Sequence, residues 1–86
     1  MNDVKTQIAA AFGRALKEAR TKMDLSQEAL ALESGIDRTF VSMLERGIRQ
    51  PALSTVYALS AVLAVKPGAL VDRAAALMAQ APRSRR

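Results

Sequence analysis

The stretch Ser26–Glu45, SQEALALESGIDRTFVSMLE, constrains the fold more than any other part of the chain. It reads as two short helices hinged at Ser34-Gly35-Ile36. Ser26 is placed as the N-cap of the first, with Gln27 and Glu28 in the opening turn, where the helix dipole favours acceptors and anions. Ala29 stands where a full capping box would need Glu or Gln, so the cap is partial. Gly35 supplies the positive φ that closes a helix, and Ile36 is the apolar anchor after it. Asp37 caps the second helix, which runs to about Arg46 and ends at Gly47. Leu30 and Ala31 give the first helix an apolar inner edge, and Val41 and Leu44 give one to the second. Arg38, Thr39, Ser42 and Met43 lie between those apolar points and are not required by core packing. A short helix pinned by its neighbour, with its outer face free, suits insertion into a groove.

The remaining chain supplies helices to hold this pair. Met1–Thr6 is polar and reads as a flexible N-terminus. From Gln7 to Lys22 the apolar residues Ile8, Phe12, Ala15, Leu16, Ala19 and Met23 recur at helical spacing and form one stripe. Gly13 in that helix is a mild cost unless something packs against it. Leu25 follows as a core plug. After the basic loop Ile48–Pro51, Ser54 is placed to cap a fourth helix to about Ala64, with Val56, Leu59, Val62 and Leu63 inward. Pro67 opens a fifth helix over 67–80. Its stripe is Leu70, Val71, Ala74, Leu77 and Met78. The sequence thus predicts an all-α domain of five helices over residues 7–80, with its central pair at 26–45 and a basic tail at 81–86.

Composition narrows the function. The 86 residues carry a net charge of +5, which is compatible with simple solubility or with a polyanionic partner, most commonly nucleic acid. There is no Cys and no His, no Gly-rich phosphate loop, and no pairing of the dispersed acids. Neither catalysis nor a metal site is expected, and no cofactor or small-molecule ligand either. The longest apolar run, Val56–Val65, is interrupted by Ser60 and falls far short of the ~20 residues that cross a membrane. No signal peptide is visible at the N-terminus. A cytoplasmic protein with no membrane contact is expected.

The run from Phe12 to Leu70, FGRALKEARTKMDLSQEALALESGIDRTFVSMLERGIRQPALSTVYALSAVLAVKPGAL, resembles the phage-repressor/Cro-like helix-turn-helix family, often called XRE-type. LSQEALA, the turn SGI, the block VSMLERG and Pro51 before an apolar helix ending in LAV carry the resemblance, in order and at the right spacing. Ala64 departs from it, standing where a helix-ending glycine is frequent, as does Leu32, standing where a polar residue is usual. The resemblance implies a lambda-repressor-like five-helix domain that binds double-stranded DNA as a two-fold homodimer. It implies that the second helix of the motif enters the major groove, with Arg38, Thr39 and Met43 facing bases and Ser42 nearby. Gln27, Arg46 and Arg49 match phosphate-contacting positions, and Arg20 and Glu45 match an ion pair between the first helix and the end of the recognition helix. The residue chemistry agrees. Arg grips guanine O6 and N7 bidentately, and Thr can hydrogen-bond a base edge or meet a thymine methyl. Gln27 opens a helix, where free backbone N–H groups favour phosphate.

One such domain contacts little DNA, and the stripe Leu70, Val71, Ala74, Leu77 and Met78 is longer than a four-helix core needs. A dimer surface on the fifth helix is therefore expected, against the alternative that the stripe packs on the first helix. The rival function is a protein-interaction module, such as an antitoxin or anti-repressor acting through a partner protein. Arg38, Gln27, Arg46 and Arg49 weigh against it. RNA binding is disfavoured because only three aromatic residues exist to stack on bases, with Phe12 and Tyr57 expected in the core.

Overall fold

Asp3 starts the first helix, α1 (Val4–Lys22), with its carboxylate accepting from the Thr6 backbone N–H at 2.8 Å. That hydrogen bond holds the Asp3 carboxyl below the usual carboxylate range. The helix therefore begins at Val4 and not near Gln7, because an N-cap aspartate stands just ahead of it. The computed structural model describes residues 3–80. The tail 81–86 and the first two residues of the expected flexible N-terminus lie outside that range. The other elements are α2 (Gln27–Ser34), α3 (Arg38–Glu45), α4 (Leu53–Leu63) and α5 (Pro67–Gln80), and no strand occurs among the described residues.

The caps of the central pair are local and strong. Ser26 Oγ accepts from the Ala29 N–H at 2.9 Å, and Asp37 Oδ2 accepts from the Thr39 N–H at 3.0 Å. Gly35 closes α2 at φ 73°, after which the Ile36 N–H donates to the Ala31 carbonyl. The fourth helix starts differently from its sequence pattern. Ala52 is its N-cap without any side-chain bond, and Ser54 lies inside the first turn. Ala64 closes α4 in the left-handed region at φ 59°, a position that costs a residue with a Cβ ~1 kcal/mol relative to glycine.

Leu16, Leu30, Leu44, Leu59 and Val41 are fully enclosed, and Phe12, Ala15, Val56 and Leu63 complete the centre. Leu25 and Ile36 pack on its edge. Tyr57 is 59% exposed, contrary to the expected core position. The most extensive helix pair is α1 with α5. Leu70, Ala74 and Leu77 are buried in the domain core, so those three residues of the expected dimer surface are already consumed inside one protomer. Of the same stripe, Met78 is partly buried against the core and Val71 is 52% exposed. An ion pair clips α1 to α5 at the surface, Arg73 Nε to Glu18 Oε1 at 2.8 Å. Hydrogen bonding from Arg73 lowers the Glu18 pKa, so its contribution holds above the ordinary glutamate pKa and fades as pH falls through the lowered value. Both side chains are nearly half exposed, and solvent screening keeps that contribution small.

Candidate nucleic-acid interface

Glu45, at the last turn of α3, accepts three hydrogen bonds. Arg20 Nε donates to Oε2 at 2.6 Å and Arg20 Nη2 to Oε1 at 2.9 Å. Gln27 Nε2 also donates to Oε1, at 2.9 Å. Arg20 Nη1 donates to the Leu25 carbonyl at 2.7 Å. Glu45 and Arg20 together thus tie α1, α2, α3 and the connector before α2 into a single unit. The pair is sheltered, with side-chain exposures of 11% for Arg20 and 3% for Glu45. Hydrogen bonding to Glu45 raises the Arg20 pKa, so the guanidinium is charged at every accessible pH. Bidentate geometry of this kind fixes orientation as well as adding energy.

A second close approach fixes the same end of α3. Gly13 of α1 is buried beneath the last carbonyls of α3. A Cβ there would lie 2.4 Å from the Leu44 carbonyl oxygen and 2.6 Å from that of Glu45. Just beyond α3, Gly47 has φ 74° and faces the Ala10 backbone, which a Cβ would approach to 2.9 Å. Both glycines allow α1 to touch the end of α3 directly.

With its inner side so held by Val41 and Leu44, α3 turns its opening residues outward. Arg38 and Thr39 are exposed, and Ser42 and Met43 are half-buried beside them. Arg38 is the first residue of the helix, and its guanidinium makes no hydrogen bond or ion pair among the described residues. Arg46 and Arg49 are exposed on the following loop, where Arg46 Nε makes only a long 3.4 Å approach to the Ser42 carbonyl. Gln27 stands differently from a simple phosphate ligand: one amide N–H is committed to Glu45, leaving its second N–H and the free backbone donors of the α2 start available. The structure also gathers a residue that the sequence pattern left in the flexible N-terminus. Lys5 lines a shallow notch with Thr6, Gly47, Ile48 and Arg49, and Gln50 Nε2 reaches the Lys5 carbonyl at 3.4 Å. Asp3 as an N-cap was the available signal for Lys5, since it brings residues 4–6 into the helix.

Two short helices meeting at a glycine turn, the second clamped at its end and open at its start, define a helix-turn-helix protein. Comparison with known proteins agrees: the helix-turn-helix family model (HTH_3) matches residues 16–70, and the chain belongs to that family. Control protein C.BamHI of Bacillus amyloliquefaciens is 39% identical over 62 residues, covering 71% of this chain and 76% of the relative. Control protein C.MunI of a Mycoplasma species is 41% identical over 66 residues, covering 76% and 84%. Among solved structures, the restriction-modification controller protein C.AhdI from Aeromonas hydrophila superposes with a TM-score of 0.71 at 42% identity, covering 72% of this chain and 94% of that one. No single helix among the described residues is long and apolar enough to cross a membrane.

Proposed function

We propose that this chain is a sequence-specific regulator of transcription that binds double-stranded DNA as a homodimer in the cytoplasm, of the kind that controls restriction–modification genes. The observation that carries the reading is the division of α3. Its inner side and C-terminal end are locked by Val41, Leu44 and the Glu45 network, while Arg38 and Thr39 stand exposed at its start. A rigidly held helix with a free arginine at its N-terminal end is what direct reading of a major groove requires. Similarity to the restriction-modification controller protein C.AhdI supports the restriction–modification context. In this reading Arg38 grips a guanine, Thr39 meets the neighbouring base, and Ser42 and Met43 contact the groove further along the helix. Arg46, Arg49, Lys5 and Gln27 contact phosphates on either side and set the register.

Selection of bound sites from random duplex DNA, at a stated salt concentration, tests this directly. The wild-type protein is expected to enrich a two-fold site. Arg38→Ala is expected to relax the preference at one symmetric base pair, at a cost of about 1–3 kcal/mol per half-site. Arg46→Ala is expected to weaken all sites alike and to reduce the slope of log affinity against log salt by about one. Failure of the wild-type protein to enrich any sequence would refute the proposal.

A further inference from the structure

A cleft of about 340 Å³ opens where the last turns of α1 meet the end of α4 and the start of α5, and no residue of α2 or α3 lines it. We infer that this cleft is a binding site for a small amphipathic carboxylate, a molecule with an apolar body and one anionic head. No small-molecule ligand is expected from the sequence, because the cleft is assembled from segments as far apart as Ala15 and Arg73. Glu18 and Lys22, which line it, stand on the flank of α1 opposite Arg20. The site therefore lies apart from the reading surface of α3 and does not rest on the DNA reading.

Small-molecule sites are concave, mostly apolar and about 300–1,000 Å³ in volume, with a few polar groups that fix orientation. The cleft has that form. Ala15, Leu63 and Leu70 line it and are buried, so its base is apolar core. Ala19 and Ala69 line it from α1 and α5, and their short side chains leave the space open. Met23 also lines it and is exposed, a flexible thioether that can settle against whatever enters. An apolar body seated there removes both its own surface and this lining from water.

The charges around the cleft select the head group. Glu18, Lys22 and Arg73 line it, two cations against one anion. Glu18 is already engaged: Arg73 Nε donates to its Oε1 at 2.8 Å and Arg73 Nη2 to its Oε2 at 3.2 Å. That pairing leaves the Arg73 Nη1 donors uncommitted. Lys22 makes no hydrogen bond or ion pair among the described residues. A carboxylate can therefore take Lys22 Nζ and Arg73 Nη1 while the Glu18 pair stays intact, and such charge-assisted bonds are the stronger kind. An ammonium head would meet two cations and find the one carboxylate occupied. An inorganic anion would satisfy the cations and leave the apolar base uncovered. Only a molecule that carries both features matches both halves of the cleft.

Titration of the full chain with octanoate, followed by two-dimensional amide NMR, tests the site, with octylammonium as the cationic control of equal chain length. Octanoate is expected to give saturable shifts centred on Ala15, Ala19 and Ala69 and to raise the melting temperature, because a ligand of the folded state stabilises it. Octylammonium is expected to do neither. Ala69→Leu, which fills the cleft, is expected to abolish the saturable shifts, and Lys22→Glu to weaken octanoate about fivefold or more. Ala69 and Lys22 are both exposed, so melts of the unliganded variants are expected to be near wild type. Four results would each overturn the inference: no saturable shift with octanoate, an equal response to octylammonium, shifts centred on other exposed apolar residues such as Leu53 and Tyr57, or cleft resonances that move on dilution of the protein alone, which would make a second copy the occupant. The assay contains no DNA, so its outcome leaves the DNA reading untouched.

Discussion

Replacing Glu45 by Ala is expected to lower the melting temperature by roughly 12 °C or more, the largest effect of any exposed or half-buried polar position. The argument starts from what remains after the change. Arg20 stays charged, only 11% exposed, and loses both of its bonds to the carboxylate. Gln27 Nε2 loses its acceptor as well. Breaking a buried pair by removing one partner costs about 3–5 kcal/mol, because the other charge is left without compensation. In a domain of this size each 1 kcal/mol moves the midpoint by about 4–8 °C. Total stabilities lie at about 5–15 kcal/mol, so the loss is a large fraction of the whole. A double variant, Arg20→Met with Glu45→Met, is expected to melt above Glu45→Ala, since it leaves no unpaired charge. Calorimetric melts of the three proteins decide the matter. A midpoint for Glu45→Ala within about 3 °C of wild type would mean that the network orients α3 without stabilising it.

The central pair was legible because its boundaries are set by local chemistry. Ser26, Gly35 and Asp37 each act within four residues of themselves, and the structure places each at the helix end its type suggests. The start of α4 departs from its sequence pattern for the same reason turned around. Ser54 has the right side chain, but the chain already enters the helix at Leu53 behind an Ala52 cap that makes no side-chain bond. Apolar stripes carry a different limit. They show that a face wants cover and not what covers it. Leu70, Ala74 and Leu77 are satisfied within the domain, whereas Leu53 and Tyr57, in the most apolar helix, are left outside. Glu45 is separated from Arg20 by twenty-five residues, a distance that no periodicity connects, and only likeness to a family pointed to their pairing. The third partner, Gln27, went unseen because its amide fits a phosphate equally well on chemical grounds.

The second large effect is expected at Gly13. By helix propensity alone, Gly13→Ala would stabilise α1 by up to about 1 kcal/mol. The structure reverses the sign. The new Cβ would lie 2.4 Å from the Leu44 oxygen and 2.6 Å from the Glu45 oxygen, and both are backbone atoms that no rotamer change can move aside. Relief requires α1 and the end of α3 to separate. Gly13 and Arg20 are seven residues apart and therefore share one face of α1, so the same separation draws Arg20 away from Glu45. Overpacking of this kind costs about 1–3 kcal/mol by itself, and loosening the sheltered pair adds to it. Gly13→Ala is accordingly expected to destabilise by about 2–4 kcal/mol, and to weaken operator binding further than unfolding explains, because α3 is displaced. Gly68→Ala is the matched control. It lies in the opening turn of α5 with nothing within 4 Å of the added Cβ, and is expected to be neutral or stabilising by up to ~1 kcal/mol. Denaturant melts of both variants check the pair. Equal stability of Gly13→Ala and Gly68→Ala would show that the contact between α1 and the end of α3 yields freely, and that α3 depends on its ion pair alone for its position.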